Sequence, residues 1–232
     1  MSATSRPALL PTAIRHSLAV LLFAVGLPAA AAEPADVVVY RVINGYNGEV
    51  FGEERLRIER RDAERTVYEV TRRRDQASVN SLAIDSADGN GLRRALPSHN
   101  ALVDFDFAPA FPAYVFPLEP GRRWSTRVEA VNPQGDVRYS VRVDAEVAGR
   151  ERVSVPAGSF DAVKIVRSIY VGDAAMPLTE TTIMETEWYA PALGRAVRLE
   201  RSSRWLNLAV RFSLVRGDWT IHELVAAPSP RP

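Results

Sequence analysis

Glu185 and Glu187 stand two residues apart in the segment Thr182 to Tyr189. Two carboxylates at one site are what acid–base chemistry such as glycoside hydrolysis needs, one to give a proton and one to attack or to activate water. Strand geometry would put both on one face with Ile183 and Tyr189, and Arg167 takes an equivalent place beside Ile165 and Ile169 on a neighbouring strand. If that face is interior, three charges are buried and must pair, because an uncompensated buried charge is costly. They would then line a polar cavity or form a structural ion pair. If Met184, Thr186 and Trp188 make the inner face instead, the acids are solvated, which is the usual state of glutamate. The local pattern leaves both arrangements open.

A second candidate site is aromatic. Residues 96 to 121 contain Pro97, Pro109, Pro112, Pro117 and Pro120, which cannot donate to a central sheet ladder. The same stretch carries Phe105, Phe107, Phe111, Tyr114 and Phe116, too apolar a set for a linker. It is expected to pack on the sheet as a lid or plug. As a lid it would form a pocket for a hydrophobic or lipid-like small molecule, and as a plug it would fill one end of the core. The candidate ligand-binding set is therefore Phe105, Phe107, Phe111, Tyr114, Phe116, Arg167, Glu185 and Glu187, with no catalytic assignment.

Other chemistries are poorly provided for. The chain has no cysteine, so it has no disulfide, no thiolate nucleophile and no thiolate metal ligand. Its histidines are His16, His99 and His222, too few for a transition-metal site, and no metal or cofactor is expected. His99 lies beside Ser98, with Asp104 and Asp106 downstream, but triad members are seldom sequence neighbours and no glycine-flanked nucleophile elbow is present. Asp85 to Gly91 lacks the alternating oxygen ligands and closing glutamate of a calcium loop and reads as a hairpin turn.

The elements that must position these residues are strands. In residues 137 to 147, Val137, Tyr139, Val141, Val143, Ala145 and Val147 alternate with Arg138, Ser140, Arg142, Asp144 and Glu146, the grammar of a half-buried antiparallel strand. Leu206, Leu208, Val210, Phe212 and Leu214 show the same period. Turn chemistry at Asn44-Gly45, Asn47-Gly48, Asp88 to Gly91 and Asn132 to Gly135 separates the segments. Strands are expected at 36–43, 49–61, 65–75, 79–85, 91–95, 122–131, 136–148, 151–155, 160–171, 178–190, 195–205 and 208–224. So many antiparallel strands without helical spacers indicate an all-β domain whose curved sheet forms a barrel or half-barrel, limiting exposed edges.

The ends read differently. Arg6, Arg15 and His16 precede an apolar run from Ser17 to Leu27, followed by Pro28 and alanines to Ala32, the order of an export signal. The run is shorter than the roughly 20 residues of a spanning helix, so removal of 1–32 and no remaining membrane span are expected. Removal takes two arginines and no acid, leaving 27 basic against 28 acidic side chains in one β-rich domain, 33–225, with a tail at 226–232. A near-neutral surface does not favour nucleic acid as a partner. The location implied is the periplasm.

Three stretches carry a family resemblance: Phe116-Pro117-Leu118-Glu119-Pro120-Gly121 with Trp124, Val155-Pro156-Ala157-Gly158-Ser159-Phe160 to Ile165, and Trp188-Tyr189-Ala190-Pro191-Ala192-Leu193-Gly194 to Arg198. Together, over roughly residues 110 to 205, the chain resembles a group of uncharacterised exported bacterial proteins that carry a domain of unknown function. The resemblance implies an exported β-rich domain and no catalytic positions. The leading expectation is thus a non-catalytic module binding an apolar ligand or an envelope partner. The alternatives are a carboxylate hydrolase, needing Glu185 and Glu187 or one of them with Asp104 or Asp106 to converge, and a scaffold that pairs through a strand edge.

Overall fold

The computed structural model describes residues 36–135, 137–173, 180–207 and 213–228. The expected signal segment, Leu208, Val210 and Phe212, and the last residues of the tail lie outside them. Twelve strands run in chain order: β1 (Val37–Asn44), β2 (Val50–Arg61), β3 (Arg65–Arg74), β4 (Ala77–Ser86), β5 (Gly91–Ser98), β6 (Ala101–Phe111), β7 (Arg123–Asn132), β8 (Val137–Val155), β9 (Gly158–Asp173), β10 (Thr181–Ala190), β11 (Arg195–Asn207) and β12 (Ser213–Ala226). Every neighbour pair is antiparallel, and β1 pairs with β12, so the sheet closes into an up-and-down barrel.

Alternation decides which side faces in. On β8, Val141, Val143, Ala145 and Val147 are buried while Arg142, Asp144 and Glu146 are not. Shifting the register by one residue would send these four side chains to water, at about 1.5–3 kcal/mol for each full-sized one. The apolar cluster they join includes Leu96, Phe105, Phe107, Phe111, Val128, Ala130, Ile169, Val171 and Ile183, contributed by β5 through β10.

Three sequence expectations are corrected. Residues 101–111 are not lid but wall: β6 is a barrel strand, and Pro109 is accommodated because β6 meets β7 only at Asp106, Phe107 and Ala108. The two segments expected at 136–148 and 151–155 are one strand, β8, with a bulge between Val147 and Gly149 that lets it bend and continue. Leu206 and Leu214 are not successive residues of one strand face but partners across β11 and β12.

What remains of the expected lid is the connection from Pro112 to Arg122. Leu118 is buried in it against Val147, Val163, Ile165 and Tyr189. At the same end of the barrel, the β8–β9 hairpin reaches β12, where the Ala157 amide donates to the Leu224 carbonyl at 3.0 Å. Val153 and Ala162 of that hairpin pack with Val38, Tyr40, Trp188, Val197 and Leu224. This end is therefore covered.

The other end is uneven. The His99 amide at the β5–β6 turn donates to Thr181 Oγ1 at 2.9 Å, and the His99 ring meets Trp205. The β5–β6 hairpin thus leans across the barrel towards β10 and β11, and β5 approaches β10. One lobe, β5 to β10, is packed with apolar side chains. The other is bounded by β1 to β4 and β10 to β12.

Candidate functional site

Arg167, Glu185 and Glu187 all face inward. Ladder register sets Glu185 opposite Arg167 and Glu187 opposite Ile165, on the face of Ile183 and Tyr189. Met184, on the other face, is 44% exposed, so the arrangement with Met184 and Thr186 inside is ruled out. Trp188 is buried for a different reason: it packs in the cluster with Val153 and Ala162, and its indole N–H donates to Glu151.

Arg167 Nη1 donates to Glu185 Oε1 at 2.8 Å and to Glu187 Oε2 at 2.6 Å, while its Nε and Nη2 donate to the Ala113 carbonyl. Glu187 also accepts from Tyr114 Oη at 2.5 Å. The other Glu185 oxygen accepts from Arg201 Nε and Nη2 at 2.9 and 2.8 Å, with Arg94 Nη2 at 3.5 Å. The guanidinium of Arg94 lies over the Phe111 ring, 4.3 Å from its centroid.

The charges continue across the lumen. Arg72 on β3 donates to Glu54 Oε2 at 2.7 Å and to Ser81 Oγ at 2.6 Å, and His222 Nδ1 lies 3.9 Å from Glu54 Oε1. Glu54 feels Arg201 as well as Arg72, which links the two halves of the belt. Four guanidiniums, Arg72, Arg94, Arg167 and Arg201, meet three carboxylates, Glu54, Glu185 and Glu187. The inward Asp85 carboxyl and the Arg195 guanidinium lie within the field of the same belt.

Solvent reaches one part of this belt and not the other. Arg167 and Glu185 side chains are fully buried. Arg72 and Arg94 point inward too, yet their side chains are 24% and 20% exposed. Val79, opposite Arg72 in the ladder and so on the same inner face, is 62% exposed. The lobe around β1 to β4 is thus open to solvent at the end that carries Arg72 and Val79, while Val38, Tyr40, Tyr68 and Val70 of the same wall are buried.

Electrostatics separate the acids. Burial pushes the Glu185 carboxyl up, but Arg201, Arg94 and Arg167 outweigh it and hold it at about 2. Asp85, also inward on β4, is pushed up to about 6 by burial, which Arg94 and Arg195 only partly offset. Burial and the neighbouring Glu187 carry the Tyr114 phenol well above its ordinary value. Burial lowers His222, with Glu54 opposing.

A hydrolytic pair is not assembled from the acids expected to supply it. Glu185 stays ionised through the neutral range and its oxygens are occupied by guanidinium donors. Asp106 is opposite Arg93 and bonded to it at 2.5 and 2.6 Å, and Asp104 shares its face, on the opposite side of β6 from inward Phe105 and Phe107. Neither converges with Glu185 or Glu187.

The aromatic candidates divide. Phe105, Phe107 and Phe111 are buried in the wall of the packed lobe. Tyr114 joins the belt through Glu187, and Phe116, 48% exposed, stacks with Tyr114 and Tyr189 on the connection. The residues the sequence reading missed are Glu54, Arg72, Asp85, Arg94, Arg201 and His222. Each sits at an inward position of its own strand, but an isolated Arg or Glu in a strand rich in both carries no sign of which face it takes.

A family model described as DUF3108-like matches residues 129–210, about a third of the chain, which include the second and third stretches of the resemblance noted above. No curated protein matches the chain. Among solved structures, the chain is similar to a candidate lipoprotein of Parabacteroides distasonis at 14% identity and a TM-score of 0.48, covering 82% of this chain and 92% of that one. It is also similar to a candidate exported protein with a YmcC-like fold from Bacteroides fragilis, at 17% identity, a TM-score of 0.46 and 82% and 93% coverage. A third is the hypothetical lipoprotein YmcC of Escherichia coli, at 12% identity, a TM-score of 0.43 and 84% and 85% coverage. None of these descriptions gives a ligand or a reaction.

Proposed function

We propose that this chain is an exported, non-catalytic module of the bacterial envelope that takes a lipid-like ligand with an anionic headgroup into the open lobe of its barrel. The observation that carries the reading is a loosely paired guanidinium, Arg94, whose side chain is 20% exposed. Arg94 has only a 3.5 Å contact with a carboxylate that Arg167 and Arg201 already hold more tightly. An anion arriving beside Arg94 gains a charge-assisted partner without breaking an existing short pair.

The binding site is accordingly shifted from the expected aromatic lid. Phe105, Phe107 and Phe111 act as core, and the polar part of the candidate set, Arg167, Glu185 and Glu187, acts by holding Arg94 and Arg201 in place. A hydrolase reading is not favoured, since an acid held near 2 is a poor proton donor at neutral pH.

The test is titration of the purified protein with an anionic lysophospholipid and with its zwitterionic counterpart, read by calorimetry and by native mass spectrometry. The anionic species is expected to bind more tightly, and Arg94→Gln to reduce that preference about tenfold, the loss of one charge-assisted contact of about 1.5 kcal/mol. Equal binding of the two, or a preference that survives Arg94→Gln, would overturn the reading.

A further inference from the structure

Of the two sparsely paired seams of the barrel, β6–β7 and β4–β5, the second is the shorter. β4 pairs with β3 from Ala77 opposite Arg74 to Ser86 opposite Arg65, but with β5 only at Ile84 and Asp85. Beyond those two residues β5 leaves for β10, so residues 77–83 have no strand partner on their second edge among the described residues. The outward-pointing N–H and C=O groups of that edge are a template for another strand.

The composition of the edge is unusual for this chain. Ala77-Ser78-Val79-Asn80-Ser81-Leu82-Ala83 has no charge, no glycine and no proline, although a quarter of the chain is charged. The preceding strands β2 and β3 are dense in arginine and glutamate. Exposed edges are ordinarily protected by charge, proline or a bulge; residues 77–83 have neither charge nor proline, and the register shift of this seam lies beyond them at Ile84 and Asp85. Ala77 to Asn80 are exposed, with Val79 at 62% and Leu82 at 44%.

We infer that residues 77–83 of β4 pair antiparallel with the same residues of a second copy of this chain, about a two-fold axis at Asn80. In that register Ala77 faces Ala83, Ser78 faces Leu82, Val79 faces Ser81 and Asn80 faces itself, so every cross-strand pair is neutral and at least one member of each is small or polar. A strand like β2 or β3 would instead set arginines and glutamates against a surface that offers them no counter-charge. Two-fold pairing also uses up the edge on both partners, so assembly stops at a dimer rather than growing into a fibre. The inference does not depend on the ligand reading, because strand pairing uses the backbone of the free edge, whereas the belt meets β4 through the Ser81 side chain.

The test uses the full chain with Asn80→Lys and Asn80→Asp. Asn80 is exposed, so circular dichroism and thermal melting of both variants are expected to match the parent. At the axis each variant opposes its own charge, which destabilises directly facing strand pairs. Light scattering after size exclusion is expected to give a dimer for the parent and a monomer for each variant, and a dimer again when the two variants are mixed. A monomeric parent overturns the inference and leaves the edge to a different protein. Dimers that persist in both variants, or a mixture that stays monomeric, overturn it as well.

Discussion

Arg167 on β9 and Glu185 on β10 face each other directly across the ladder, both without solvent contact, and share a 2.8 Å hydrogen bond. An arginine in that position is tolerable because each of its three nitrogens donates to Glu185, Glu187 or the Ala113 carbonyl. The pair also ties the Pro112 to Arg122 connection to the wall, since Ala113 belongs to that connection.

Truncating the arginine leaves two buried carboxylates facing each other. Arg167→Ala is therefore expected to cost about 3–5 kcal/mol, the range for breaking a buried pair by removing one partner. Urea unfolding followed by circular dichroism measures it. A loss below 1 kcal/mol would mean that the acids find water or Arg201 instead.

Acid should act through Glu185. Its folded carboxyl is held at about 2, below the ordinary 4.5, so the folded state holds the proton more weakly than the unfolded one. The stabilisation is complete above pH 4.5 and is lost as pH falls towards 2, a span worth on the order of 3 kcal/mol. Unfolding midpoints between pH 6 and pH 2 should fall steeply over that window. Glu185→Gln should be weaker at neutral pH and show a flatter profile.

Asp85 has the opposite sign. With its folded carboxyl raised from 3.8 to about 6, the folded state favours the proton, so stability falls as pH climbs from 3.8 through 6. Asp85→Asn removes that cost and is expected to stabilise the protein at pH 7 by about 1–3 kcal/mol, with little effect at pH 4. Differential scanning calorimetry at the two pH values reads the difference directly.

Core and surface aromatics should separate cleanly. Phe105 is fully buried and packs against Phe107 and Tyr139, so Phe105→Ala is expected to cost about 3–5 kcal/mol. Phe116→Ala, at a half-exposed site, should cost less than about 1 kcal/mol. Comparable losses at both positions would show that the connection is as integral to the core as β6.

The amino-acid sequence alone determined the class of fold, because a two-residue period is a local property: Val141 to Val147 alternate whatever surrounds them, and Asn44 to Gly48 or Asn132 to Gly135 can turn without long-range help. It also narrowed the charged site to two arrangements of Glu185, Glu187 and Arg167. Tertiary structure chose between those two, since period tells which residues share a face but not which face is inside. It also turned 101–111 into wall, since Pro109 is harmless where the pairing with β7 has already ended at Ala108. The belt was beyond local reading for the same reason: Glu54, Arg72, Arg94 and Arg201 lie on four separate strands, and only barrel closure brings their charges together.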